Sequence, residues 1–111
     1  MTDAGDSAIL ARLFALIESR KGADPTVSRT AHLFHRGIAK IAQKVGEEAV
    51  EAAIAAVAGS PRELVNESAD LLYHLLVLWS AMGITPEDVY AELARREGTS
   101  GIEEKRSRPK D

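Results

Sequence analysis

Five carboxylates stand in two short stretches of the chain. GEEAVEAAIAA, Gly46 to Ala56, carries Glu47, Glu48 and Glu51, and ESADLLYHLLVLW opens with Glu67, followed three residues on by Asp70. Gathered in one place, five like charges repel, and a divalent cation removes the repulsion. Hard oxygen donors select Mg²⁺, with Mn²⁺ as a substitute, over softer metals. The chain has no cysteine and no pair of histidines spaced for zinc, so these acids do not belong to a zinc site. Mg²⁺ keeps several waters and shares its coordination shell with substrate phosphates. The chemistry that follows is attack of water on a phosphoanhydride. The metal neutralises charge on the transferring group, and one carboxylate takes the proton of the water. No Gly-rich Walker loop is present, which excludes a P-loop NTPase.

Helices must position these acids. Apolar residues Ile9, Leu10, Leu13, Phe14, Leu16 and Ile17 recur at helical spacing, so a first helix is expected from about Ser7, its N-cap, to Ser19. RKGADPTVSRT, residues 20–30, reads as a loop. Helical pattern resumes near Ala31, pauses at Gly37 and runs to Ala58, with Gly59 closing it. Ser60-Pro61-Arg62-Glu63 opens the next helix with a cap, a proline at the first helical position and Glu at the capping-box position. That helix ends at Gly83. Thr85-Pro86 starts a last one that ends at Gly98, and residues 99–111 form a charged tail that is expected to be mobile. No strand pattern or repeat is present. The fold expected is all-α, a single domain over residues 1–98, with an antiparallel helical hairpin as its core and flanking helices beside it.

Advancing about 100° per residue sorts the two central helices. In the first, Ile38, Ile41, Ala42, Val45, Ala49, Ala52, Ala53, Ala56 and Val57 share one broad face. Lys40, Lys44, Glu47, Glu48 and Glu51 gather on the other. The second is apolar nearly all round, save a stripe of Glu63, Glu67, Asp70 and His74. Such a helix is expected to be buried, with its stripe facing something that compensates charge. Turning both acidic stripes toward one pocket gathers Glu47, Glu48, Glu51, Glu67 and Asp70. Lys40 and Lys44 flank the cluster, either as solvated lysines or as contacts for a phosphate. His74 is a substrate contact or a hydrogen-bonded core histidine. Trp79 belongs to the core or to a subunit interface.

Composition sets the class. An apolar share of 45% with only 5% aromatic residues favours close-packed helices. A net charge of −3 argues against general nucleic-acid binding. No signal segment or membrane-length apolar run is present, so a cytoplasmic protein without a membrane partner is expected.

The pattern EE-x-x-E, fifteen residues, then E-x-x-D resembles the signature of the all-α nucleoside triphosphate pyrophosphohydrolases, which include MazG-type enzymes and dimeric dUTPases. KIAQKVGEEAVEAAIAA followed by ELVNESADLLYHLLVLW is more specific and resembles the phosphoribosyl-ATP pyrophosphatase family, over about Ser28 to Arg96. The tail SGIEEKRSR is similar to that of many bacterial members. The resemblance implies Mg²⁺-dependent hydrolysis of phosphoribosyl-ATP to phosphoribosyl-AMP and pyrophosphate, the second step of L-histidine biosynthesis. It implies that Glu47, Glu48, Glu51 and Asp70 hold the metal and carry catalysis, with Glu67 a ligand or close neighbour. It leaves Glu47, Glu48 and Glu51 as candidates for the general base. Lys44 would contact phosphate, and Tyr73 and His74 match the YH that follows E-x-x-D. In SRTAHLF, Ser28 to Phe34, the family usually has S-Y-T-x-x-L, which places Thr30 and His32 near substrate. Here Arg29 replaces the tyrosine, and His32 stands where Lys or Arg is common.

Family members pair as homodimers whose helices complete one bundle. The apolar circumference of residues 61–82 independently asks for more cover than two short helices give. Two other readings stand beside this one. One is a house-cleaning nucleotide pyrophosphohydrolase with the same acids, which a substrate panel separates. The other is a non-catalytic helical interaction module, which metal titration separates.

Overall fold

The computed structural model describes residues 8–109. Six helices follow one another: α1 (Ile9–Ser19), α2 (Arg29–Arg36), α3 (Ile38–Val57), α4 (Pro61–Ala81), α5 (Pro86–Arg96) and α6 (Gly101–Ser107). There is no strand among the described residues. The expected cap Ser7 lies outside them, and Ala8 stands at the N-cap position of α1 without a side-chain cap.

The punctuation read from the sequence sets most of the boundaries. Ser28 accepts from Ala31 N at 3.1 Å and Ser60 from Glu63 N at 3.3 Å, each satisfying one of the open N–H groups of a first turn. A reciprocal capping box forms at Thr85 and Asp88, with N···O distances of 2.9 and 3.2 Å. Thr85→Ala removes half of it, and about 1 kcal/mol of stability should go with it; a lower urea midpoint at unchanged m-value is the expected reading. The pause at Gly37 is a complete break. Its φ of 93° and ψ of 173° end α2 and begin α3, a conformation that side-chain-bearing residues avoid.

α3 and α4 pack as a hairpin along the largest interface in the chain, across the turn closed by Gly59 (φ 76°). α1 lies on α4, and α2 bridges α3 and α4. The core is Ile17, Leu33, Ile41, Leu76 and Val77, with Phe14, Phe34 and Trp79 packed against it. Lys21 ties α1 to the end of α4. It donates to the Ser80 carbonyl at 2.9 Å and pairs with Glu18, which also accepts from Ser80 Oγ.

One sequence expectation is corrected here. α4 is not buried all round, since Val65, Leu72 and Met82 are exposed. The apolar face of α3 is divided: Ile41, Val45 and Ala52 turn inward with Glu48 and Ala55, and Ala42, Ala49, Ala53, Ala56 and Val57 are exposed. Within the expected tail, Gly101–Ser107 forms α6, a helix the sequence reading did not contain. Glu104, its side chain 5% exposed, anchors it: Arg108 Nε donates at 2.7 Å, and Arg95 and Arg96 of α5 approach to 3.4 and 3.5 Å.

Among the described residues no single helix is long and apolar enough to cross a membrane. Only α4 and α5 taken together reach that length and composition, and they bend by 108°.

Candidate active site

The α3–α4 hairpin turns acids inward, against the usual preference for burying apolar groups. Glu48 sits at the centre of the buried face of α3, only 6% exposed, between Ile41 one two-turn step before it and Ala55 one two-turn step after. From α4, Glu67 and Asp70 reach the same point. One carboxylate oxygen from each of Glu48, Glu67 and Asp70 lies within 4.8 Å of the others. Glu51, one turn beyond Glu48, touches both Glu48 and Glu67. Ionised carboxylates only accept hydrogen bonds, so contacts between them need a proton or a cation.

The electrostatics record this need. Glu67 is pushed up to about 7, first by its contact with Glu51, then by burial, and then by the charges of Glu51, Asp70 and Glu48. Burial, followed by Glu51, raises Glu48. Glu48 Oε2 and Glu67 Oε2 are buried with no hydrogen-bond partner. Buried acceptors are rarely left so. Two orphaned oxygens, at a cluster of hard donors and nothing softer, fit a divalent cation.

Other predicted residues divide. Lys44 Nζ lies 3.4 Å from Glu47 Oε1 and 3.8 Å from Glu48 Oε1, at the edge of the cluster. Glu47 points away from it. Its Oε2 accepts from Gln43 at 3.1 Å, and Gln43 and then Lys44 hold it below the usual carboxylate range. Lys40 is half-buried near Glu47. Thr30 Oγ1 and Tyr73 Oη share a hydrogen bond of 2.5 Å, which fastens α2 to α4 beside the acids. His32 is exposed on the outer side of α2.

His74 is fully buried. Its Nδ1 is 2.9 Å from the Asp70 carbonyl, which can only accept, so Nδ1 carries the proton. Nε2 then accepts from Arg29 Nη2 at 3.3 Å. Both ring nitrogens are engaged, and the imidazole ties the backbone at Asp70 to Arg29. Sequence reasoning treated Arg29 only as a departure from a pattern. The signal that could have found it is its place beside the Ser28 cap, in the segment expected to lie near substrate.

Comparison with known proteins decides the family. Residues 10–97 match the family described as phosphoribosyl-ATP pyrophosphohydrolase. The chain belongs to this family. It is 62% identical over 102 residues to a phosphoribosyl-ATP pyrophosphatase of Azospirillum brasilense, covering 92% of each chain. It is 63% identical over 107 residues to one from Paramagnetospirillum magneticum, covering 96% of this chain and 98% of that one. A third, from Gluconobacter oxydans, is 56% identical over 110 residues, 99% of this chain and 83% of the relative. Every acid of the cluster falls inside the residues matched to the phosphoribosyl-ATP pyrophosphohydrolase family.

The acid cluster of this pyrophosphohydrolase should make its metal-free fold sensitive to pH in an unusual direction. Glu67 has a folded pKa of about 7 against an ordinary value of 4.5. Between these values the folded chain binds more protons than the unfolded one, so stability falls as pH rises through the window. The acids held low act oppositely. Glu92, lowered to about 2 by Arg95 and Arg96, contributes stability that is lost only as pH falls toward that value. In EDTA, the Tm of wild type minus that of Glu67→Gln should therefore decline from pH 4.5 to 7. A flat difference would remove the raised carboxyl.

Proposed function

We propose that this chain hydrolyses phosphoribosyl-ATP to phosphoribosyl-AMP and pyrophosphate, with Mg²⁺ as cofactor, in the cytoplasmic pathway of L-histidine biosynthesis. The observation that carries the reading is the convergence of Glu48, Glu67 and Asp70, with two buried carboxylate oxygens left without partners. The names of the relatives supply the substrate.

Glu48, Glu51, Glu67 and Asp70 would hold the cation. When bound, it supplies charge neutralisation for the phosphate oxygens and makes water a better nucleophile. The protein's own groups do the rest. Burial of Glu48 shields that carboxylate from water, so its charge acts more strongly. Lys44, at the edge, meets a phosphate oxygen. Of the base candidates, Glu47 is engaged by Gln43 and Lys44, and Glu48 is sealed. Glu51 is exposed and in contact with the cluster, which supports it as the group that accepts the proton of a water arriving from solvent.

The same reading includes a homodimer. Val50, Ile54 and Val57 recur at i, i+4 and i+7 on the outer face of α3, and Val50, Ala53, Ile54, Val57 and Ala58 line an apolar groove of about 410 Å³. Val65 and Leu72 are also exposed, on α4. The radius of gyration is 16.1 Å, whereas a compact chain of this length would have about 13 Å. An open hairpin with its apolar side outward is half of a bundle.

The test is pyrophosphate release from phosphoribosyl-ATP, with and without Mg²⁺ or Mn²⁺, beside ATP, dUTP and dCTP. Release from phosphoribosyl-ATP only, dependent on the cation, is expected. Release from the simple nucleotides instead would retain the acid cluster and discard the substrate.

A further inference from the structure

We propose that Arg29 binds a phosphoryl group of the substrate and helps set which nucleotide the site accepts. The inference rests on the proposed hydrolysis of a phosphorylated nucleotide and goes beyond it, because it assigns a residue and a ligand group at the face of α4 next to the acids.

Three observations place Arg29 there. It is exposed, and its guanidinium lies 5.6 Å from the centre of the Tyr73 ring while Nη2 donates to His74 Nε2. Tyr73 and His74 follow Asp70 by three and four residues, so they share its face of α4 and stand one turn away, roughly 5–6 Å. Arg29 therefore stands within reach of a phosphorylated ligand held at the acid cluster.

The charge is also uncompensated. Among the described residues Arg29 pairs with no carboxylate, unlike Arg95, Arg96 and Arg108, each of which has one. Its two partners are a tyrosine ring and a histidine whose acceptor nitrogen it fills. Neither neutralises a guanidinium. α2 adds to the positive potential, since Arg29 is its first residue and its first turn contains no acid.

The side chain is held in place as well. The Tyr73 ring and the hydrogen bond from Nη2 to His74 orient the guanidinium, and His74 is in turn fixed by the Asp70 carbonyl. The remaining N–H groups of the fork are free to donate in pairs, the geometry that suits a phosphoryl group. Lysine at this position would bring charge without the fork.

The test is steady-state kinetics of Arg29→Gln and Arg29→Lys with phosphoribosyl-ATP and Mg²⁺, alongside substrate binding by calorimetry in EDTA, where turnover stops. The reading of the enzyme is settled first by wild-type turnover. If wild type prefers another nucleotide, the Arg29 variants are measured on that nucleotide by the same criteria, so the two failures remain distinct. Arg29→Gln should raise KM about 10- to 100-fold and lower kcat less than threefold. Arg29→Lys should recover part of the KM, and calorimetry should show the same order of affinities. Unchanged affinity and KM in both variants would overturn the proposal. So would a loss confined to kcat, which would make Arg29 a positioning residue acting through His74 on Asp70. Should Arg29→Gln fail to fold, Arg29→Lys with its ionic-strength dependence decides. Loss of affinity on losing the fork supports the proposal, and wild-type affinity at every salt concentration overturns it.

Discussion

Glu48→Gln should lower turnover by about a thousandfold or more and at the same time make the metal-free protein more stable. The two effects have one cause. Glu48 is the most enclosed member of the cluster, with Oε2 buried and unpartnered and its titration raised by burial and by Glu51. Neutralising it removes a charge the apo fold holds at a cost, and a gain of about 1 kcal/mol is expected. The same change removes a hard anionic donor from the cation site. A thousandfold loss corresponds to about 4 kcal/mol of transition-state stabilisation, within reach of a lost charge at a buried carboxylate. Asp70→Asn should cost a similar factor in rate with little change in stability, since Asp70 is exposed.

Thermal melts in EDTA and in excess Mg²⁺ separate the contributions. Wild type should gain Tm with Mg²⁺, because a ligand that binds only the folded state stabilises it. Glu48→Gln should start higher and gain little. Full activity in both Glu48→Gln and Asp70→Asn would remove the site. A fall in the apo Tm of Glu48→Gln would mean that the carboxylate holds the hairpin together rather than straining it.

Much of this site was legible because cap chemistry and carboxylate spacing are local. Ser60-Pro61 and Thr85-Pro86 announce helix starts through residues within one turn, and both starts are where expected. E-x-x-E and E-x-x-D put their acids on one face by helical period alone. Orientation was less legible. Glu47 and Glu48 are neighbours about 100° apart on the helix, and that arc separates a carboxylate paired with Gln43 and Lys44 from one buried at the cluster. Nothing in GEEAVEAA says which way the helix rolls against α4. Ala49, Ala53 and Val57 share an apolar face with Ile41 in the sequence, because apolar type does not distinguish a core position from an exposed one. The helix α6 was hidden for another reason. Glu104–Arg108 is visible at i, i+4 spacing, but the docking of Glu104 on Arg95 and Arg96 depends on a turn at Gly98 whose geometry composition does not give.

If the proposed homodimer forms through the outer face of α3, Ile54→Asp should convert it to monomer at micromolar concentration. Ile54 is 62% exposed at the middle of the outer stripe of α3, with Val50 and Val57 one turn to either side. In a twofold dimer each substitution counts twice. Burying an isoleucine side chain is worth about 1.5–3 kcal/mol. Two lost copies, with two aspartates left to be desolvated, should weaken association by at least 3 to 6 kcal/mol, or roughly two to four decades in Kd. Leu72→Asp, at an exposed apolar position of α4, tests whether that helix contributes to the interface as well. Ile102→Asp, 68% exposed but on α6, should leave the dimer intact. Sedimentation velocity at a few micromolar reads all three. Dissociation by Ile102→Asp alone would place the interface at the other end of the chain, and a monomeric wild type would remove the dimer altogether. The activity of Ile54→Asp then carries a second message. Glu51 belongs both to the cluster and to the outer groove that it lines with Gln43, Gly46, Glu47 and Val50. If the partner covers that groove, monomerisation opens the cluster to water on the Glu51 side, and kcat should fall along with assembly even though no acid has been changed.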